Sequence, residues 1–347
     1  MRTRLKRLAL PRARAPMRLV RAGCLAAGLA LGLAGLAPYA AHAQSRAAGF
    51  DLVRLDASPR TAALAGIPDA LAALDASAAY DNPALLEPGL DRQAAFGYTN
   101  HVAGIAAGHV AYARAAPRLG GTLAAGVRFL SYGAFARAEA DGAGEGTFGA
   151  GEQALTLAYA RPLAENVSVG VSAHALFASI DDAQAAALTL GAGAVYTWPQ
   201  QRLRVAASVQ HVGAALASLG AERDRLPLEA RLSVSRRLEY LPLTLAVSAY
   251  DLAGVGTGQA PDDSTGALRT ALAHVAFGGE LQLGPALALR GGYHPRRAEA
   301  LRGGARLDFA GVSAGFGLSL RRLGVDYAFT GWSRYGGLHQ FGVRTRL

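Results

Sequence analysis

From about Gln93 to Leu347 apolar residues recur at every second position, broken by clusters of turn-forming residues. In Asn166–Phe177 the set Val167, Val169, Val171, Ala173, Ala175 and Phe177 alternates with Ser168, Gly170, Ser172 and His174. In Leu203–Gln210 the set Leu203, Val205, Ala207 and Val209 opposes Arg204, Ala206, Ser208 and Gln210. A period of two puts one set on each face of a strand. Such segments number roughly 14, which predicts an all-β chain of about 14 antiparallel strands. The stretch DASAAYDNPALL, Asp75 to Leu86, breaks the rhythm. There Asn82 is placed to cap a short helix that starts at Pro83, and Leu85 and Leu86 supply apolar side chains to bury.

Charge sharpens the pattern. Arg128, Arg204, Glu229, Arg231, Arg290, Asp326 and Arg344 each fall on the face opposite the apolar set of their own strand. In a membrane barrel an arginine on the lipid face near the midplane costs ~2–4 kcal/mol, whereas one facing the lumen is tolerated. The phase therefore fits a transmembrane barrel with Arg128, Arg204, Arg231, Arg290 and Arg344 turned inward. A soluble sandwich gives the same phase with those residues facing water, so alternation by itself leaves both open. Three further features favour the barrel. Tyr98, Tyr112, Tyr132, Tyr159, Tyr196, Trp198, Tyr240, Tyr250, Tyr293, Trp332 and Tyr335 gather toward strand ends, where interfacial aromatic girdles sit. The last stretch keeps Phe341, Val343, Thr345 and Leu347 in phase, as suits a final strand that pairs with the first and removes the open edge. Strands of about ten residues are also long enough to cross a bilayer.

The first 43 residues follow another logic. They carry eight Lys/Arg and no acid, then an apolar run from Ala22 to Ala37, then Ala41-His42-Ala43. This is the form of a secretory signal peptide cleaved between Ala43 and Gln44, with export through the Sec pathway; Met17 would open an equally conventional leader. The expected organisation is 1–43 signal peptide, 44–90 plug or hatch-like segment with short helices, and 91–347 outer-membrane barrel. The leader accounts for eight of the ten net positive charges. What remains is close to neutral, which removes the case for a nucleic-acid partner and leaves outer-membrane lipid as the expected surroundings. Cys24, the sole cysteine, lies in the leader. No disulfide, thiol nucleophile or Cys-based metal site is therefore expected.

No enzyme signature emerges. His101, His109, His174, His211, His274, His294 and His339 form no H-x-x-x-H or H-E-x-x-H spacing, and no carboxylate cluster suggests a metal cage. His174 near Ser172, or His211 near Ser208, could form the Ser–His pair of a barrel hydrolase; a lumen-facing polar residue is the plainer reading of both. No catalytic residue, metal or cofactor is assigned. The candidate loops are Glu139–Gly149, Ala214–Arg225, Gly254–Ala267 and Gly331–Gly337.

The ordered motifs FDLVRLDASPRTAALAG (50–66), DASAAYDNPALL (75–86), FGYTNHVAGIAAGHVAYAR (96–114), FLSYGAF (129–135), GTFGAGEQALTLAYARPL (146–163) and SVGVSAHALFAS (168–179) together resemble the PorQ family. Those proteins are barrels of the type IX secretion system, placed with PorV in the wider FadL-like group. The resemblance implies a FadL-like barrel of about 14 strands with an N-terminal segment inside or under it. It also implies an attachment-complex role: docking a PorZ-like surface protein, working near PorU and PorV, and anchoring secreted cargo. The chain departs from that pattern in its Ala/Arg bias, in having no lysine after Lys6, and in a shortened stretch around Gly254–Arg269. A FadL-like channel for hydrophobic small molecules is the competing expectation, motivated by the NPALL element and the barrel.

Overall fold

The structure, a computed structural model, describes residues 50–67, 69, 71–101, 104–137, 146–220, 226–252, 272–301, 309–332 and 336–347. The expected leader, the Ala43–Gln44 junction, the Gly254–Ala267 loop and Tyr335 lie outside the described residues. Fourteen strands close into one antiparallel barrel in chain order. They are β1 (Gln93–Asn100), β2 (Ala106–Ala116), β3 (Gly121–Ala136), β4 (Thr147–Ala164), β5 (Val167–Ile180), β6 (Ala183–Trp198) and β7 (Leu203–Ala217). Then follow β8 (Glu229–Arg237), β9 (Leu243–Ala249), β10 (Val275–Leu283), β11 (Leu287–Tyr293), β12 (Val312–Leu320), β13 (Leu323–Gly331) and β14 (Gly337–Arg346). Closure is by β1 on β14, with Phe96 opposite Val343 and Tyr98 opposite Phe341.

The two faces of the wall differ as the alternation demands. Val110, Val127, Leu157, Val171, Leu190 and Val247 are exposed on the outside. Contiguous apolar exposure of this extent fits a surface whose solvent is lipid. Between them the inward positions are buried and either small or polar, Ala111, Ala158 and Ala328 alternating along the wall with Thr156, Ser172, Thr189, Ser208, Ser233 and Gln340. Leu157→Arg is accordingly expected to cost ~2–4 kcal/mol of barrel stability, read as a lower midpoint in heat-modifiability gels; an unchanged midpoint contradicts a lipid-facing Leu157.

Short turns lie at the end where β1 begins and β14 finishes, and the long connections lie at the other. The expected loops are trimmed at that long-loop end. Thr147–Gly149 belong to β4, Ala214–Ala217 to β7, and Gly331 ends β13 while Gly337 begins β14. The wall is also uneven. β3 to β7 run 14 to 18 residues, while β8 to β13 run 7 to 9, so one side stands above the other at the long-loop end. A bulge interrupts that tall side between Leu190 and Ala192, where Gln210 and His211 are buried consecutively and His211 takes φ 63°. An extra residue in one strand turns two successive side chains to the same face.

The girdle expectation needs two corrections. Tyr196 and Trp198 pack together with tilted rings at the short-turn end, 4.0 Å between centroids, and Tyr293 is exposed at the other end. Tyr132 and Tyr250, however, turn inward and give their hydroxyl protons to Glu152 Oε1 (2.8 Å) and the Ala273 carbonyl (2.5 Å). Nearness to a strand end does not fix the face; strand phase does.

Candidate functional site

The described part of the N-terminal segment lies within the barrel and runs nearly its full length. Near the long-loop end a 3-10 turn, Asp51–Arg54, packs on β3 and β4. Helix α1 (Pro59–Ala63) packs on β11 to β14, and helix α2 (Ala78–Asp81) on β3 and β4. At the short-turn end the Gly89 carbonyl accepts from Arg346, and the Leu347 N–H donates to the Arg92 carbonyl at 2.8 Å.

Local chemistry explains each turn. Ser58 Oγ accepts from the Thr61 N–H at 3.2 Å with Pro59 in the first turn, the arrangement that starts α1. Asn82 caps in the same way, its Oδ1 accepting from the Ala84 N–H at 3.0 Å. What it starts is one 3-10 turn, Pro83–Leu85, rather than a longer helix. Asn82, Pro83, Leu85 and Leu86 are all buried. The Ala84 carbonyl accepts from Ser168 Oγ at 2.7 Å, and the Asp81 carbonyl from Gln210 Nε2 at 2.9 Å. Two wall glycines make the room. A Cβ on Gly170 would lie 2.5 Å from the Pro83 carbonyl carbon, and one on Gly193 would overlap Asn82 Oδ1.

Arg128, Arg204, Arg231, Arg290 and Arg344 all project from the inner face. Arg128 Nη2 donates to the Leu55 carbonyl at 2.7 Å, and its guanidinium lies 5.5 Å from the Tyr80 ring centre. Arg204 pairs with Glu87 of the segment. Arg231 Nε donates to Glu229 Oε1 at 2.6 Å. Arg290 donates to Glu280 Oε2 (2.8 Å) and Asp326 Oδ1 (2.5 Å), and Arg344 to Asp326 Oδ2. Arg60 of α1 completes the chain, forking onto Glu280 with two bonds of 2.9 Å. Nearer the long-loop end Arg297, in helix α3 (Pro295–Leu301), forks onto Asp56 at 2.8 and 3.0 Å. Burial by itself would raise the Asp56 carboxyl; Arg297 overrides it and holds the group below its ordinary value. Salt bridges thus bind the segment to β7, β10 and α3, and neutral hydrogen bonds add β5 and a second contact on β7. Sequence phase gave the face of each arginine but no sign of Arg60, Glu280 or Asp56 as partners.

Ser172 Oγ and His174 Nε2 are 2.9 Å apart, but Ser172 also donates to Gln210 Oε1, and His174 Nδ1 meets Thr156 Oγ1 at 2.9 Å. Ser208 and His211 do not meet: Ser208 turns to Asp69 and His211 to Thr189. Among the described residues no carboxylate orients either imidazole.

Asp69 is fully buried; its Oδ1 accepts from Ser208 Oγ at 3.3 Å and its Oδ2 has no donor among the described residues. Burial raises its carboxyl to about 6, against the opposing pull of Arg231, and raises the Asp81 carboxyl to about 7. Folded values above the unfolded ~3.9 mean that the protonated acids favour the seated segment. That contribution is full below about pH 4 and is lost as pH rises through about 6 to 7. Hydrogen exchange across residues 69–86, corrected for the intrinsic rate, is expected to be faster at pH 8 than at pH 5; equal protection contradicts this.

At the long-loop mouth, on the inner side of the tall wall, lies a cavity of about 280 Å3. Tyr132, Phe135, Phe148, Ala150, Ala178, Ile180 and Leu219 form its apolar sides, and Asp51 and Glu152 its charged ones. Directly beneath, Phe50, Leu52 and Val53 pack with Leu130, Ala154 and Leu176 in one apolar cluster. The sequence held no sign of this site, whose residues come from five separate stretches.

No family model matches the chain, and no curated protein does. Solved structures do. The toluene transporter TodX of Pseudomonas putida has a TM-score of 0.55 at 11% identity, covering 83% of this chain and 96% of that one. The CymD monoaromatic hydrocarbon channel gives 0.52 at 13%, covering 86% and 99%. A Pseudomonas aeruginosa FadL homologue gives 0.47 at 13%, covering 83% and 98%. At such identities TodX and CymD speak for the fold alone, a closed antiparallel transmembrane barrel that this chain shares with them.

Proposed function

We propose that this chain is an outer-membrane channel of the FadL-like kind, admitting small apolar molecules at its long-loop mouth. The observation that carries the reading is the apolar cavity there, continuous with the cluster around Phe50 and Leu52. Short turns on one side and long loops on the other match the periplasmic and outer ends of such barrels. In this reading the segment 44–90 is the stopper, and passage requires it to shift, because its described part fills the lumen. The test is entry of the neutral fluorophore N-phenyl-1-naphthylamine into intact cells. The full chain raises the rate over cells without it, and Phe148→Arg, which puts a charge in the cavity, removes the gain. Equal rates with and without the protein overturn the reading.

A second reading is favoured by the same filled lumen together with the ordered PorQ-like motifs. The barrel is then a docking platform of type IX secretion, holding a PorZ-like surface protein on its tall wall near PorU and PorV. Pull-down from native membranes recovers such a partner if this holds; recovery of the barrel by itself counts against it.

A further inference from the structure

We infer that the mouth cavity is a site for compact amphiphiles with a positively charged head, an aryl or alkyl ammonium, and that it discriminates against carboxylates; this rests on the channel reading above. The starting point is Glu152. Other carboxylates on the inner wall meet arginine: Glu280 with Arg60 and Arg290, Asp326 with Arg290 and Arg344, Glu229 with Arg231. Glu152 is as buried as these, and among the described residues it meets no cation. It accepts instead from the Tyr132 hydroxyl (2.8 Å) and the Leu52 N–H (2.7 Å), both neutral donors. A carboxylate offers about four acceptor positions, so capacity remains on the side that borders the cavity.

The walls suit the same ligand. Phe135 and Phe148 stack at 5.4 Å with 27° between planes, and Tyr132 stands beside them. Aromatic faces attract a cation most strongly where water is scarce. Asp51 adds a second carboxylate, and among the described residues no basic side chain lines the cavity. The nearby Asp181 is taken by Arg137. The Asp51 and Glu152 carboxylates concentrate cations and repel anions at the cavity before contact. The volume falls just short of the ~300 Å3 lower bound for drug-sized sites, which suits a compact occupant.

The test uses the purified full chain in nanodiscs at pH 7 and low salt, with calorimetric titration of phenylethylammonium, 2-phenylethanol and 3-phenylpropionate. The ammonium is expected to bind about ten-fold tighter than the alcohol, and the carboxylate not measurably. Glu152→Gln and Asp51→Asn each lower ammonium affinity, together by about ten-fold or more, and leave the alcohol unchanged. Asp51 is exposed in a short turn, so its variant reports even if Glu152→Gln fails to assemble. Alcohol and ammonium binding alike, or variants that spare the ammonium, overturns the charge assignment while the channel reading stands. No binding of any of the three, with N-phenyl-1-naphthylamine entry intact, overturns the site as a whole; loss of that entry as well overturns both.

Discussion

Replacing Asp326 by alanine is expected to destabilise the barrel by about 3–5 kcal/mol, the cost of breaking a buried charge network from one side. Asp326 is shared: Oδ1 takes Arg290 and Oδ2 takes Arg344. The Arg290 side chain has no exposed surface, and that of Arg344 is 8% exposed. Gly317 and Gly324 leave the space that these groups occupy, since a Cβ at either would strike Asp326, Arg290 or Arg344. Without the aspartate two guanidinium groups remain in the lumen wall with one carboxylate, Glu280, and that one is already forked by Arg60. Asp181→Ala removes an exposed pair with Arg137 and serves as the contrast, with a change of about 0–1 kcal/mol. Urea unfolding followed by tryptophan emission or gel mobility measures both. Similar small shifts for the two variants would contradict the network.

Valine at both Gly170 and Gly193 is expected to unseat the segment without opening the barrel wall. Each glycine faces inward beside a residue that tolerates burial on the same strand, Ser172 and Val195. Their missing side chains are filled by Pro83–Ala84 and by Asn82. A branched side chain at Gly170 overlaps the Pro83–Ala84 backbone and one at Gly193 overlaps the Asn82 side chain, so together they push the turn off β5 and β6, on which it packs. The expected reading in planar bilayers is a change from rare, small conductance in the parent to frequent open steps in the variant, with β content preserved by circular dichroism. Parent-like conductance means that the turn adapts in place.

Much of the wall was legible in the sequence because a barrel makes the period-2 rule strict. Lipid on one side and a polar lumen on the other penalise each misplaced side chain, so the inward face of Arg128 or Arg204 follows from phase. The N-cap at Asn82 was legible because Asn-Pro carries its own local geometry. Three things were not. The bulge at Gln210–His211 shifts phase by a single residue and has no glycine or proline at the bulged position to mark it. The partner of each arginine is set by barrel closure, which brings Arg60 to Glu280 across 220 positions. The mouth cavity joins Asp51, Phe148 and Leu219, and Tyr132, which reads as a girdle aromatic, belongs to it instead.

The central claim is that the segment inside the barrel is the gate between mouth and short-turn end. Ala84→Cys with Ser168→Cys places one thiol at the Ser168 hydroxyl and the other on the residue whose carbonyl accepts from that hydroxyl, in a chain whose sole native cysteine is Cys24. Dibromobimane, which fluoresces when it joins two thiols, reports the lock directly. With the lock complete, N-phenyl-1-naphthylamine entry is expected to fall to the rate of cells lacking the protein, while the unlocked double variant keeps the parent rate. Entry that continues unchanged through the locked barrel would contradict the claim.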